Sequence, residues 1–146
     1  MIYDNSDKKA DLRMEQLLET IQNKDHDTLK EMFSKRVLDE VNDFDSSVEY
    51  LFGLIQGNVE SWERDRFGSD GSIENGKKST RLRSWYTVTT NKGKYMFFII
   101  DFTIDTIDPD NAGLYMIRAI RAEDEETQFA GTWQDMEIPG IYKPEN

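Results

Sequence analysis

Apolar residues recur along the first third of the chain at helical spacing. Ala10, Met14, Leu17, Leu18 and Ile21 fall at i, i+4, i+7, i+8 and i+11, one face of a helix. Lys24-Asp25-His26-Asp27 interrupts that face. Asp25 or Asp27 supplies an N-cap for a second helix, whose stripe is Leu29, Met32 and Phe33. A third helix is predicted from Ser46, with Glu49 completing a capping box, Val48, Leu51, Phe52 and Ile55 facing inward, and Gly57 as its stop. Residues 34–43 are expected to form an irregular or short strand-like connection, with Val37, Leu38 and Val41 half-buried.

From Asn58 the apolar period shortens to that of a strand. Over 59–67, Trp62, Arg64 and Arg66 share one side, and Val59, Ser61, Glu63 and Phe67 the other. Gly68–Gly76, rich in glycine and serine, reads as a mobile loop. Further strands are expected near 79–90, 94–104, 114–122 and 127–136. Turns fall at Asn91–Gly93, Asp108–Gly113 and Glu123–Glu126, and an irregular tail runs from Ile138. A three-residue loop at Asn91–Gly93 would set Val88 opposite Met96, Tyr86 opposite Phe98 and Arg83 opposite Asp101. That register gathers Tyr86, Phe98, Ile100 and Leu82 on the core face. It leaves Trp85, Tyr95, Phe97 and Ile99 on an outer face too apolar for water.

Helices followed by a long antiparallel meander make an α+β layer architecture. One domain is expected over 8–146, after a disordered segment at 1–7. The apolar outer face predicts a homodimer packed through the sheets, since two-fold pairing is the commonest closed symmetry.

Composition narrows the chemistry. The 146 residues hold 29 acidic and 18 basic side chains, a net charge of −11. This balance disfavours nucleic acid, whose phosphates need a clustered positive surface. With no cysteine and one histidine, disulfides, thiolate metal sites and cysteine nucleophiles are excluded and a His-centred triad is disfavoured. No metal or cofactor is expected. No apolar run approaches the ~20 residues of a membrane-spanning helix, and the polar start from Met1 to Asp7 has no secretory signal.

Asp101 is the foremost candidate for chemistry, because it interrupts the most apolar strand and burial would raise its pKa toward that of a general base. Pairing with Arg83 across the hairpin would instead make it structural, and the expected register favours that reading. His26 sits in a polar interhelical turn and reads as a surface residue. Asp105, Asp108, Asp110 and Asn111 are rich in oxygen, but their spacing misses a calcium loop and fits turn chemistry around Pro109. Arg64, Arg66, Lys77, Lys78, Arg81 and Arg83 concentrate positive charge as a possible anion- or partner-binding patch. A ligand pocket between helices and sheet is expected to be lined by Phe52, Ile55, Tyr86 and Phe98.

The stretch Ile21-Gln22-Asn23-Lys24-Asp25-His26-Asp27-Thr28-Leu29-Lys30-Glu31-Met32-Phe33-Ser34 is similar to the opening of nuclear-transport-factor-2-like proteins. Leu82–Thr90, Phe98–Thr103, Asn111–Tyr115 and Gly140–Pro144 resemble an uncharacterised bacterial family of that superfamily, found in Gram-positive bacteria and often regarded as lipoproteins. The resemblance spans about residues 8 to 144. It implies a cystatin-like cone, in which a curved antiparallel sheet wraps helices, and it carries over no catalytic residue. It also implies an extracytoplasmic protein whose membrane attachment is an upstream lipid anchor absent from this chain; a cytoplasmic location is the alternative. The expected function is non-catalytic binding of a small ligand or a protein at the cell envelope. The rival is a small cone-fold enzyme, an isomerase or hydro-lyase using general acid–base chemistry.

Overall fold

A computed structural model describes residues 5–125 and 137–144. It is an α+β domain in which four helices, α1 (Ser6–Gln22), α2 (His26–Met32), α3 (Lys35–Glu40) and α4 (Phe44–Leu54), precede a sheet. The strands are β1 (Val59–Glu74), β2 (Lys77–Thr90), β3 (Lys94–Asp105), β4 (Gly113–Arg121) and the short β5 (Gly140–Ile141). They lie in the order β1-β2-β3-β4-β5, antiparallel except that β5 runs parallel to β4. The strand expected at 127–136 lies outside the described residues, as do residues 1–4. Ser6 and Asp7, placed by the sequence reading in a disordered segment, form the first turn of α1. No helix among the described residues is long and apolar enough to cross a membrane.

The helical pattern holds with two corrections. Asp25 caps α2, its carboxylate accepting from the Thr28 amide at 3.2 Å. The 34–43 connection contains a helix, α3, because the Ser34 hydroxyl accepts from the Val37 amide at 3.2 Å. Val37 is buried, and Leu38 and Val41 pack on the core. The last helix starts at Phe44 rather than Ser46, from an Asp43 in the left-handed region, so no capping box forms at Ser46. Phe44 then packs edge-on against Phe33 at 5.0 Å.

Two hairpins determine the sheet. Gly68–Gly76 is no loop: β1 and β2 stay paired out to Glu74 and Lys77, and Asn75-Gly76 turns the chain with both φ values positive. Asn-Gly favours that two-residue turn because its twist matches the twist of the flanking strands. The β2–β3 turn is also two residues long, Asn91-Lys92, with the Thr90 amide bonded to the Gly93 carbonyl at 2.8 Å. The Thr90 hydroxyl accepts from the amides of Lys92 (3.0 Å) and Gly93 (3.1 Å) and donates to the Gln56 carbonyl (2.7 Å). The register is therefore one residue from the expected one: Val88 faces Tyr95, Tyr86 faces Phe97, Trp85 faces Phe98 and Arg83 faces Ile100.

A one-residue slip exchanges the faces of a strand. Tyr95, Phe97 and Ile99 therefore join Tyr86 and Val88 beneath the helices. Phe98 and Ile100 lie on the other face with Trp85, Met116 and Ile120. There Trp85 stacks on Phe98 at 4.5 Å, and both are buried. The exposed apolar patch on which the expected homodimer rests is thus absent among the residues named for it.

Gly113 joins the sheet to the helices at the start of β4. Its φ is +125°, and a Cβ there would sit 2.9 Å from the Ser34 amide nitrogen and 3.1 Å from the Met32 carbonyl oxygen. Both neighbours are backbone at the α2–α3 junction and cannot swing aside. Gly113→Ala is expected to cost ~1–3 kcal/mol in urea unfolding; an unchanged midpoint would mean that this junction yields.

Candidate functional site

Helix α1 is fixed to the sheet by two polar links. Asp11 and Arg13 leave the helix on opposite flanks, Asp11 toward β1 and β2 and Arg13 toward β3. One Asp11 oxygen accepts from Arg64 Nη1 at 2.7 Å and the other from the Tyr86 hydroxyl at 3.0 Å. Arg64 Nη1 also reaches the Asp7 carbonyl at 3.3 Å, and Trp62 meets the Tyr86 ring edge-on at 5.6 Å. Burial pushes the Tyr86 phenol far above its ordinary pKa, and the adjacent Asp11 carboxylate pushes the same way. Tyr86 is therefore a fixed hydrogen-bond donor, unsuited to giving up its proton near neutral pH.

On the other flank, Arg13 Nε donates to Asp101 Oδ2 at 2.8 Å. Asp101 is only 3% exposed, and its Oδ1 is buried without a hydrogen-bond partner among the described residues. The partner of Asp101 is thus Arg13 of α1, not Arg83. The ion pair expected across the hairpin is replaced by one that links a helix to the sheet.

Arg13 also lines a cavity of about 440 Å³ between α1 and α2. Gln16, Glu19, Thr28, Glu31 and Met32 complete much of its wall. Arg13 Nη1 and Nη2 carry no hydrogen bond among the described residues, so the guanidinium is held from its Nε side alone. The site pairs one anchored cation with the exposed carboxylates of Glu19, Glu31 and Asp25, the last of them engaged in capping α2.

The expected pocket does not assemble. Phe52 and Ile55 edge a separate depression with Gly57, whereas Tyr86 is sealed beneath α1 and Phe98 lies across the sheet from it. The basic patch is divided as well. Arg64 faces α1; Arg83 Nε lies 3.0 Å from Asp70, and Arg81 pairs with Asp70 at 3.5 Å and with Glu137. Arg66, Lys77 and Lys78 are exposed. His26 Nε2 lies 3.3 Å from Asp45. Asp105 closes its own turn, accepting from the Asp108 amide at 2.7 Å and from Asn111 Nδ2 at 3.1 Å. No group of three or more His, Cys, Asp or Glu among the described residues could hold a metal ion. The α1–α2 cavity was missed because its lining alternates with core positions on two helices, and only their crossing brings Arg13 to Glu31.

Two outcomes test these contacts. Arg13→Ala strands a buried carboxylate and should cost ~3 kcal/mol. Arg64→Ala leaves Asp11 half in solvent and still bonded to Tyr86, and should cost ~1 kcal/mol or less. Equal losses in chemical denaturation would contradict the difference in burial. Burial raises the Asp105 pKa, but the hydrogen bonds from Asp108, Asn111 and Ser79 outweigh it, so the net shift is downward from 3.8. A depressed native pKa stabilises the fold above 3.8 and loses that contribution as pH falls through the lower native value. Asp105→Asn should accordingly flatten the stability–pH curve below pH ~4, with little change in slope near neutrality.

Among curated proteins, no match to this chain is found. A family model described as a domain of unknown function, DUF5104, matches residues 16–122, from the middle of α1 through the end of β4. That span includes the α1–α2 cavity wall from Gln16 onward, Asp101 and the whole β1–β4 meander, and the chain belongs to the DUF5104 family.

Proposed function

We propose that the chain is a non-catalytic binding domain with a nuclear-transport-factor-2-like cone, and that its ligand occupies the α1–α2 cavity. The observation that carries this reading is the state of Arg13. Its Nε is tied to buried Asp101 at 2.8 Å, while its two terminal nitrogens are unbonded among the described residues and lie on a residue that lines the cavity. A guanidinium fixed this way presents N–H groups suited to a carboxylate at little entropic cost. Glu19 and Glu31 on the same wall suit an ammonium group, so the ligand class is zwitterionic: a free amino acid or the end of a short peptide. The resemblance to envelope-associated relatives supports a place at the cell envelope.

The alternative is a cone-fold isomerase or hydro-lyase using Asp101 as base, and the unpartnered Asp101 Oδ1 is the observation in its favour. Against it, Oδ2 is already engaged by a guanidinium, and Tyr86 bonds Asp11, not Asp101. Titrating amino acids and dipeptides, alongside their N-acetyl and C-amide forms, into isotopically labelled protein separates these readings. Amide shifts confined to residues 13–32, lost on blocking either ligand terminus, are expected. Shifts elsewhere, or none, would end the cavity reading. Turnover abolished by a stably folded Asp101→Asn variant would establish the enzyme.

A further inference from the structure

Among the described residues, strand β1 forms one edge of the sheet, paired only with β2 on its inner side. An exposed edge of this length presents backbone donors and acceptors to any matching strand. The central residues are Trp62-Glu63-Arg64-Asp65-Arg66-Phe67. Read against itself in the antiparallel sense, with a two-fold axis between Arg64 and Asp65, this segment is self-complementary. Glu63 of each copy meets Arg66 of the other and Trp62 meets Phe67, while Arg64 and Asp65 at the axis keep their partners Asp11 and Thr87 within their own chain. From these pairings we infer that β1 docks against β1 of a second copy of this chain, joining two sheets edge to edge.

The observed faces agree with the pairing. Trp62 packs on Tyr86, and Phe67 lies 5.7 Å under the Arg64 guanidinium, so both aromatics lie on the helix side. Both are half-buried in the single chain and have surface left to cover. Arg66 faces Trp85 across the β1–β2 ladder, which places it on the outer side, and the alternation along β1 places Glu63 there too. Glu63 and Arg66 are exposed and form no ion pair among the described residues. Each therefore meets its opposite charge on the same face, the arrangement that stabilises cross-strand neighbours.

The register step between Arg64 and Arg66 is a bulge, a device that often blunts edges. Here it lies beside the two-fold axis, and the inserted Asp65 is what brings Glu63 and Arg66, three positions apart, to one face and Trp62 and Phe67 to the other. This dimer differs from one packed through the outer sheet face. It leaves the α1–α2 cavity open, and it stands whether or not that cavity binds a ligand.

Charge reversal tests it. Glu63→Arg and Arg66→Glu, each made alone and each checked for an unaltered fold by circular dichroism, place like charges together at two symmetry-related points. Each variant should dimerise roughly tenfold or more weakly than the unaltered chain in sedimentation equilibrium at low salt. An equimolar mixture of the two restores opposite charges at both points and should form a heterodimer as tight as the original homodimer. In the unaltered chain, amide exchange at residues 60–69 should slow as concentration rises, a readout independent of either substitution. A monomer at high micromolar concentration would overturn the inference. So would a dimer indifferent to both reversals, or a mixture that stays monomeric.

Discussion

The hydrogen bonds of the Thr90 hydroxyl hold β2 and β3 in the one register that places Tyr86 and Asp101 beneath α1. That hydroxyl satisfies the amides of Lys92 and Gly93 while reaching the Gln56 carbonyl after α4, so the turn is tied to the helical layer as it forms. Asn91 adds a second tie, its side chain accepting from the Asn58 amide at 2.7 Å. A shift of one residue would send Tyr95, Phe97, Ile99 and Asp101 to the outer face and leave Arg13 without its target. The helix–sheet packing of β3 and the Arg13–Asp101 link therefore depend on this turn.

The helical pattern was legible because amphipathic periodicity is a local property. Ala10, Met14, Leu17 and Ile21 are buried, as their spacing implies. The sheet was less legible because register is not local. Residues 82–102 are apolar on both faces, so alternation could not choose between registers, and the deciding contacts came from Gln56 and Asn58. Asn75-Gly76 was a different failure. The strongest short hairpin signal in the chain was present, but polar residues on both sides hid the strands it joins. Those strands extend where little core exists, and Ile73 near the tip is 80% exposed. As for the site, Asp101 was found from its apolar neighbours, whereas its partner was not, because a helix–sheet ion pair across 88 positions leaves no trace in spacing.

Electrostatics divides the same way. With a net charge of −11, the fold cannot neutralise every acid and instead spends arginine where acids are buried or crowded. Arg13 meets the most buried of the described carboxylates, Arg64 meets Asp11, and Arg81 and Arg83 share Asp70. Lysine, with its strongly hydrated point charge, is left largely to the surface. Of the six basic residues that look like one patch in sequence, Arg64, Arg81 and Arg83 are therefore internal counter-ions, while Arg66, Lys77 and Lys78 are exposed.

Arg13 shows why arginine is required at the α1–α2 crossing. A buried carboxylate whose partner is withdrawn costs several kcal/mol, because the charge remains where water cannot reach it. Any occupant of the cavity must therefore leave the Nε–Asp101 bond in place and use only the terminal nitrogens. A planar guanidinium permits this, since Nε and the terminal nitrogens point in different directions from one rigid group. A lysine ammonium has no such division and would have to choose between Asp101 and the ligand. The link that docks α1 therefore also fixes the direction in which the terminal nitrogens of Arg13 point, so under the proposed function ligand selection and stability of the fold would rest on the same side chain.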